Sequence, residues 1–330
     1  MDNITSIGNY MFTTCSALTS VADLSKVTSV GIQAFMNCSS LTTLEGLNFS
    51  ALTSIGQQAF NNMKSFSLEL GEHTFDSLEF LDIRAFANTA GITGKVVLPE
   101  RITEIPENAF SSTGITGVDW SHITTIGVSA FRNCAGLTEL HLPDSVTSIG
   151  ESAFKGSGLT GELQLPNSVT SIGNEAFRNV KIEGNLVLPS ALTFLGTRAF
   201  NETTISSVTF PGTLKNIGSY AFYRCSNLSG TLIIPEGVVS IGKAAFTQTG
   251  IEKAGACRQR TDHLGRCIQH LRQADFRADW ANRARAKASC RPSAIGHLTT
   301  ISISPTSISK HARQMLRSTR IRGRFLPVLL

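Results

Sequence analysis

The stretch Val146-Thr147-Ser148-Ile149-Gly150-Glu151-Ser152-Ala153-Phe154, continuing through Leu159 to Leu163-Gln164-Leu165-Pro166, decides the reading of this chain because it recurs. A Phe preceded by Ala, with an aliphatic residue five positions before it, returns at Phe12, Phe35, Phe60, Phe86, Phe110, Phe131, Phe154, Phe177, Phe200, Phe222 and Phe246. The spacings run from 21 to 26 residues, a period belonging to solenoids, whose units stack because one unit alone cannot bury its apolar face.

Each column of the template predicts a physical job. Val146, Ile149 and Phe154 place three large apolar groups inside every coil, and the repeated aromatic supplies most of the burial. Ala precedes Phe in every coil except the first, which has Met11, as a close approach of neighbouring backbones requires. Gly follows the aliphatic residue in all coils but two, which carry Asp82 and Pro106, and marks a turn with positive φ or close packing. The segments Leu137–Leu142 and Ile205–Phe210 alternate at their ends and read as short half-buried strands. Pro99, Pro143, Pro166, Pro189, Pro211 and Pro235 follow this segment and end the ladder, because proline has no N–H to donate.

The 330 residues therefore divide as eleven coils over 1–250 and an extension over 251–330. Charge divides the same way. Residues 1–250 carry 13 Lys and Arg against 20 Asp and Glu, a net of −7, while 251–330 carry 16 against 4, a net of +12. Only 16% of residues are charged, too few for a disordered chain. No run of about 18 apolar residues exists, so no membrane span is expected.

The pattern L-T-x-L-x-L-P-x-S-V-T-S-I-G-x-x-A-F-x-x-C resembles the BspA-like class of leucine-rich repeats, found among surface antigens and adhesins of bacteria and protists. The resemblance covers about residues 1–250. It implies an α/β repeat solenoid, a right-handed superhelix with a short parallel sheet on its concave face, roughly 50 Å long at about 4.8 Å per coil. Residues 1–12 already form most of a coil, with no signal peptide or capping segment expected before it. The surface or secreted location that the resemblance implies therefore stays open.

Cys15, Cys38, Cys134 and Cys225 all sit three residues after the anchor Phe, where other coils have Met63, Thr89, Thr113, Ser157, Val180, Thr203 and Thr249. This interchange predicts a packing role. Only Cys15 and Cys38 lie on adjacent coils. Asn37, Asn62, Asn88, Asn133 and Asn179 precede that column and predict a turn in which the amide bonds nearby backbone.

Binding residues are sought on the outward positions of the strand segment. The candidates are Asp119, Glu139, His141, Glu162, Gln164, Asn185 and Thr209, with His122 close by. Acidic groups gather in the middle coils, giving a neutral to mildly acidic surface ill-suited to nucleic acid, whose phosphates need Lys and Arg. No nucleophile, base and orienting group converge, and no phosphate loop, dinucleotide fingerprint or paired metal-ligand motif appears. No catalytic role, cofactor or metal is expected.

After Ile251 the template predicts a strand, and Glu252-Lys253-Ala254-Gly255-Ala256-Cys257-Arg258 departs from it. Three readings of the extension remain open. Residues 258–288 form an amphipathic helix, with Leu264, Ile268 and Leu271 capping the solenoid; or the arginines, among them Arg283, Arg285, Arg313 and Arg320, form an anion-binding patch; or the segment is a frame-slipped continuation of the repeat. The last is preferred because residues 298–313 resemble a coil that has lost its Phe. Cys257, His263, Cys267 and His270 match no common zinc spacing. The expected function is a non-enzymatic scaffold binding a protein or glycan, in an adhesion role. The alternative is an intracellular scaffold whose basic extension contacts an acidic partner.

Overall fold

The computed structural model describes residues 4–256 and 299–301. They form a parallel β-solenoid of about eleven turns. The α part of the expected class is absent among the described residues, where the only helical element is a 3-10 turn at Phe49–Ala51. Turns occupy the place that helices fill in other α/β repeats.

The anchor rings build the core. Consecutive Phe side chains from Phe12 to Phe246 stack with centroids 5.2 to 5.9 Å apart and planes within 13° of parallel. The Ala before each of Phe35 to Phe246 is buried as well. The reason is a backbone ladder: each anchor N–H donates to the carbonyl of the equivalent Ala in the following coil, from Phe12 N to Ala34 O (2.8 Å) through Phe222 N to Ala245 O (2.8 Å).

Two residues on either side of each Phe, the N–H also points to the next coil, as in Gln33 N to Gln57 O (2.8 Å) and Asn37 N to Asn61 O (3.0 Å). The intervening amides close turns within their own coil, as in Met36 N to Gln33 O (3.2 Å). This alternation requires left-handed backbone at both flanking positions. Gln33 has φ 53° and Asn37 φ 63°, and the pattern recurs to Ala244 and Gln248. The Asn column thus makes the expected turn. Its amides, however, bond the neighbouring coil's amide rather than backbone, as in Asn62 Nδ2 to Asn37 Oδ1 (2.7 Å).

The template glycines have ordinary φ and serve close packing instead. A Cβ on Gly218 would lie 2.3 Å from Gly196 O, and one on Gly173 2.6 Å from Glu151 N. They follow two-residue strands that periodicity did not reveal: Ser6–Ile7, Ser29–Val30, Ser54–Ile55 and Phe80–Leu81 in one parallel sheet, then seven from Glu104–Ile105 to Ser240–Ile241 in another.

The leucine-rich strands form a second, interrupted set of ladders. Ser207–Thr209 pairs in parallel with Asn185–Val187, placing a strand within the predicted 205–210. Leu137–Leu142 forms no strand: Leu137 and Leu140, three residues apart, are both buried while Thr138, Glu139 and His141 are exposed, so period-two alternation is not kept. Here the repeat has just contracted to 21 residues, between Phe110 and Phe131. The indole of Trp120 packs edge-on against Phe131 and Phe154 at 5.4 and 6.2 Å.

The strand due after Ile251 does form, over Gly250–Ala256, parallel to Ser229–Ile234. Glu252 is inserted as a bulge, after which Lys253 pairs with Thr231 and Ala254 with Leu232. Thr299–Ile301 pairs with this strand in the antiparallel sense, whereas a further coil in phase would pair in parallel. The helix expected over 258–288, the Cys257/His263/Cys267/His270 set and the arginine clusters lie outside the described residues.

Two substitutions test this packing. Phe177→Ala removes a fully buried ring from mid-stack and is expected to destabilise by about 3–5 kcal/mol. Because each coil contacts only its neighbours, urea unfolding should also become multiphasic. Gly218→Ala forces a backbone shift and should cost about 1–3 kcal/mol, read as a lowered urea midpoint, whereas Gly212→Ala, with open space around it, should cost far less.

Candidate functional site

Alternation in the leucine-rich segment turns Val118, Leu140 and Leu163 into the core and leaves their neighbours outside. Asp119 ends this segment in its coil, and its Oδ1 accepts from Ser121 N at 3.1 Å, a turn that fixes the carboxylate. One coil on, His141 Nε2 lies 3.5 Å from Glu139 Oε2, with both side chains at least 80% exposed, so this ion pair contributes little. Asp119, His141 and Gln164 line one shallow hollow of about 410 Å³ with Trp120, Ser121 and Pro143.

The structure separates the other sequence-predicted residues from this hollow. Glu162 stands opposite Glu183 in the parallel pair Thr160–Glu162 and Lys181–Glu183. Asn185 Oδ1 accepts from Ser207 Oγ at 2.8 Å, and Thr209 stands opposite Val187. Glu139, Glu162, Asn185 and Thr209 therefore continue the exposed face without lining the groove.

Asp119 also lines a neighbouring hollow of about 260 Å³ with Glu72, Asp76, Glu100 and His122. His122 Nδ1 lies 3.3 Å from Ser121 Oγ, and its enclosed Nε2 has no hydrogen-bond partner. Glu72 in turn borders a third hollow, of about 580 Å³, with Glu69 and His73. The second hollow shares Asp119 and Ser121 with the first and Glu72 with the third, so the three adjoin as a broken furrow lined by residues from Leu47 to Gln164. Sequence reasoning missed its first half, because Glu72, Asp76 and Glu100 lie in loops outside the strand column that guided the search. Trp120, one of only two tryptophans in the chain, was a usable signal.

Among the described residues, no three His, Cys, Asp or Glu side chains come together as metal ligands. No described helix is long and apolar enough to cross a membrane.

A second polar surface lies on the turn side. Glu175, mostly covered, is approached by Lys155 Nζ, by Arg178 Nη1 at 2.9 Å and by Arg198 Nη1 at 3.7 Å. Glu202 extends the network between Arg178 and Arg224. Arg198 lies over Tyr220 and Arg224 over Tyr223, at 5.0 and 5.2 Å. Desolvation alone pushes the Glu175 carboxyl up, but the Lys155 hydrogen bond and the charges of Lys155 and Arg178 outweigh it and hold it below the usual carboxylate range.

Comparison with known proteins follows this geometry. The family profile described as the BspA type leucine rich repeat region matches residues 1–92, 69–161 and 159–263, in six copies. A leucine-rich repeat protein from Bacteroides ovatus is 21% identical, with a TM-score of 0.54 over 75% of each chain. A leucine rich cell surface protein from Faecalibacterium prausnitzii is 23% identical, with a TM-score of 0.50 over 74% of this chain and 76% of that one. No curated protein matches significantly.

The Glu175 cluster carries a pH prediction. A depressed folded-state pKa means stability present above the unfolded carboxylate range and lost as pH falls through the folded value. Urea midpoints should drop on acidification below about pH 4, near the ordinary Glu pKa, and Glu175→Gln should flatten that part of the profile.

Proposed function

The chain belongs to the BspA-type leucine-rich repeat family, and from that premise we propose that it is a non-enzymatic binding scaffold whose furrow receives an extended segment of a partner protein. The observation that supports this reading is that the three hollows adjoin through shared lining residues. From Leu47 to Gln164 the furrow crosses five coil-to-coil steps, on the order of 24 Å, enough for about seven residues of extended chain. Its walls carry Glu69, Glu72, Asp76, Glu100 and Asp119, so the partner segment is neutral to basic.

A glycan is the second ligand class, for which Ser121, His141 and Gln164 of the first hollow offer hydrogen-bonding groups. The adhesion role and a place at the cell surface rest on the description of the Faecalibacterium neighbour as a cell surface protein. Fractionation of cells producing the full chain tests the location, and recovery in the soluble interior alone would exclude it.

An array of peptides of about 12 residues, graded in charge, tests the furrow. Binding is expected to rise with peptide positive charge and to weaken at least tenfold in the variant Glu72→Lys/Glu100→Lys, whose substitutions fall on exposed side chains. Equal binding by wild type and variant, or binding confined to glycans, would refute the peptide reading.

A further inference from the structure

The column three residues after each Phe does more than fill space. Three of its side chains donate to the carbonyl of an anchor Phe across a coil step: Thr89 Oγ1 to Phe60 O (2.6 Å), Cys134 Sγ to Phe110 O (3.0 Å), Cys225 Sγ to Phe200 O (3.0 Å). In each of these the acceptor belongs to the preceding coil. The column also brings side chains of successive coils into direct contact. Thr113 Oγ1 lies 3.5 Å from Cys134 Sγ, and Thr203 Oγ1 lies 3.3 Å from Cys225 Sγ.

Cys15 and Cys38 occupy this column in the first two coils, 23 residues apart. That is the offset of the local register, in which Ser6 pairs with Ser29 and Ile7 with Val30. The coils are stacked closely at this point: the Phe12 and Phe35 rings are 5.3 Å apart, and Thr14 N donates to Met36 O at 2.7 Å. Cys38 Sγ reaches into the first coil to Phe12 O at 2.9 Å, the same carbonyl that accepts from Cys15 N at 3.0 Å. A spacing near 4.8 Å between stacked coils falls within the Cα separation of roughly 4.4–6.8 Å that a disulfide spans. Where other coils set a threonine beside a cysteine in this column, these two coils set a cysteine beside a cysteine.

We infer that Cys15 and Cys38 are a redox-modifiable pair that closes into a disulfide, with a small external disulfide such as oxidised glutathione as oxidant, stapling the first coil to the second. The two thiols have separate parts. Cys15 is exposed and Cys38 buried, so the external disulfide meets Cys15 first. The Cys15 thiolate attacks it, forming a mixed disulfide and releasing one small thiolate. Cys38, having lost its proton to solvent, then attacks the Cys15 sulfur and displaces the second small thiolate. Two protein thiols are oxidised and one external disulfide is reduced to two thiols.

Burial pushes the Cys38 thiol up to about 11, with the backbone hydrogen bond at Cys15 opposing and the charge of a Cys15 thiolate adding to the rise. Closure is therefore limited by the scarce Cys38 thiolate, and its rate rises about tenfold per pH unit below that value. The staple matters where it sits, because the first coil is loosely covered: Tyr10 and Met11 are 54% and 48% exposed, and Phe12 is only partly buried.

The test uses the full chain incubated with oxidised glutathione at about pH 7.5 and pH 8.5, quenched by alkylation and mapped by mass spectrometry. The expected result is one peptide pair joined through Cys15 and Cys38 and lighter by two hydrogens. It should form faster at the higher pH, raise the thermal midpoint by a few degrees, and reopen with reductant. Cys15→Ser, a change at an exposed side chain, should show none of these. Glutathione retained on Cys15 with Cys38 still alkylatable would overturn the inference, as would Cys15 joined to Cys257, Cys267 or Cys290. A closure rate that does not rise with pH would overturn the assignment of Cys38 to the second step.

Discussion

The hydrogen bond from each anchor Phe N–H to the Ala carbonyl of the next coil, 2.8 to 3.1 Å throughout, is the constraint on which the solenoid depends. A bond of that length leaves no freedom in the distance between coils. The rings on the same residues must then stack at 5.2 to 5.9 Å, and any side chain between the backbones must be small. Ala before Phe and Gly after the aliphatic residue are two answers to one steric demand. The ladder also dictates backbone conformation. Aiming alternate N–H groups forward, while those between them close local turns, puts the residues two before and two after each Phe in the left-handed region. Such a residue costs about 1–2 kcal/mol when it is not glycine. Glu175, Arg198 and Tyr220 all adopt it, so the conformation is imposed by the neighbouring coils and not by residue preference.

The same constraint explains which parts were legible in the sequence. Stacking in register makes equivalent residues meet, so period, anchor and core follow from columns of identical residues, and Val146, Ile149 and Phe154 are all buried as read. Columns whose role is backbone geometry were harder. Residues as different as Gln33, Ser129 and Tyr220 share a positive φ, and no side-chain property betrays it. The two-residue strands such as Ser148–Ile149 are too short for periodicity to register. The Leu137–Leu142 segment shows the converse error: its end alternates in sequence, but the burial of both Leu137 and Leu140, three residues apart, does not follow period two and no ladder forms.

The site was legible in proportion to its dependence on the columns. Asp119, His141 and Gln164 share a groove because they occupy outward positions on stacked segments, which sequence can place. Glu72, Asp76 and Glu100 complete the furrow from loops whose path depends on the contraction and expansion of individual repeats. The cysteine column was read as apolar filling, yet the thiols of Cys134 and Cys225 also donate to the anchor carbonyl of the preceding coil, as Thr89 does with oxygen. Met63 and Val180 in the same column show that packing alone is also accepted there.

The two faces of the solenoid differ in how much they leave free for recognition. Just before the two-residue strands, threonine side chains turn back on the scaffold: Thr53 Oγ1 donates to Thr28 O, Thr170 to Thr147 O and Thr193 to Thr170 O. Donors spent on the scaffold are not available to a ligand. Along the furrow the carboxylates of Glu69, Glu72 and Glu100 have no such duty in the ladder, and the indole beneath Asp119 is held rigidly by Phe131 and Phe154. A rigid wall bearing acceptors that the fold does not need loses little entropy when a chain binds to it. The proposed binding face is thus the side where coil length varies, opposite the one that the repeat makes chemically monotonous.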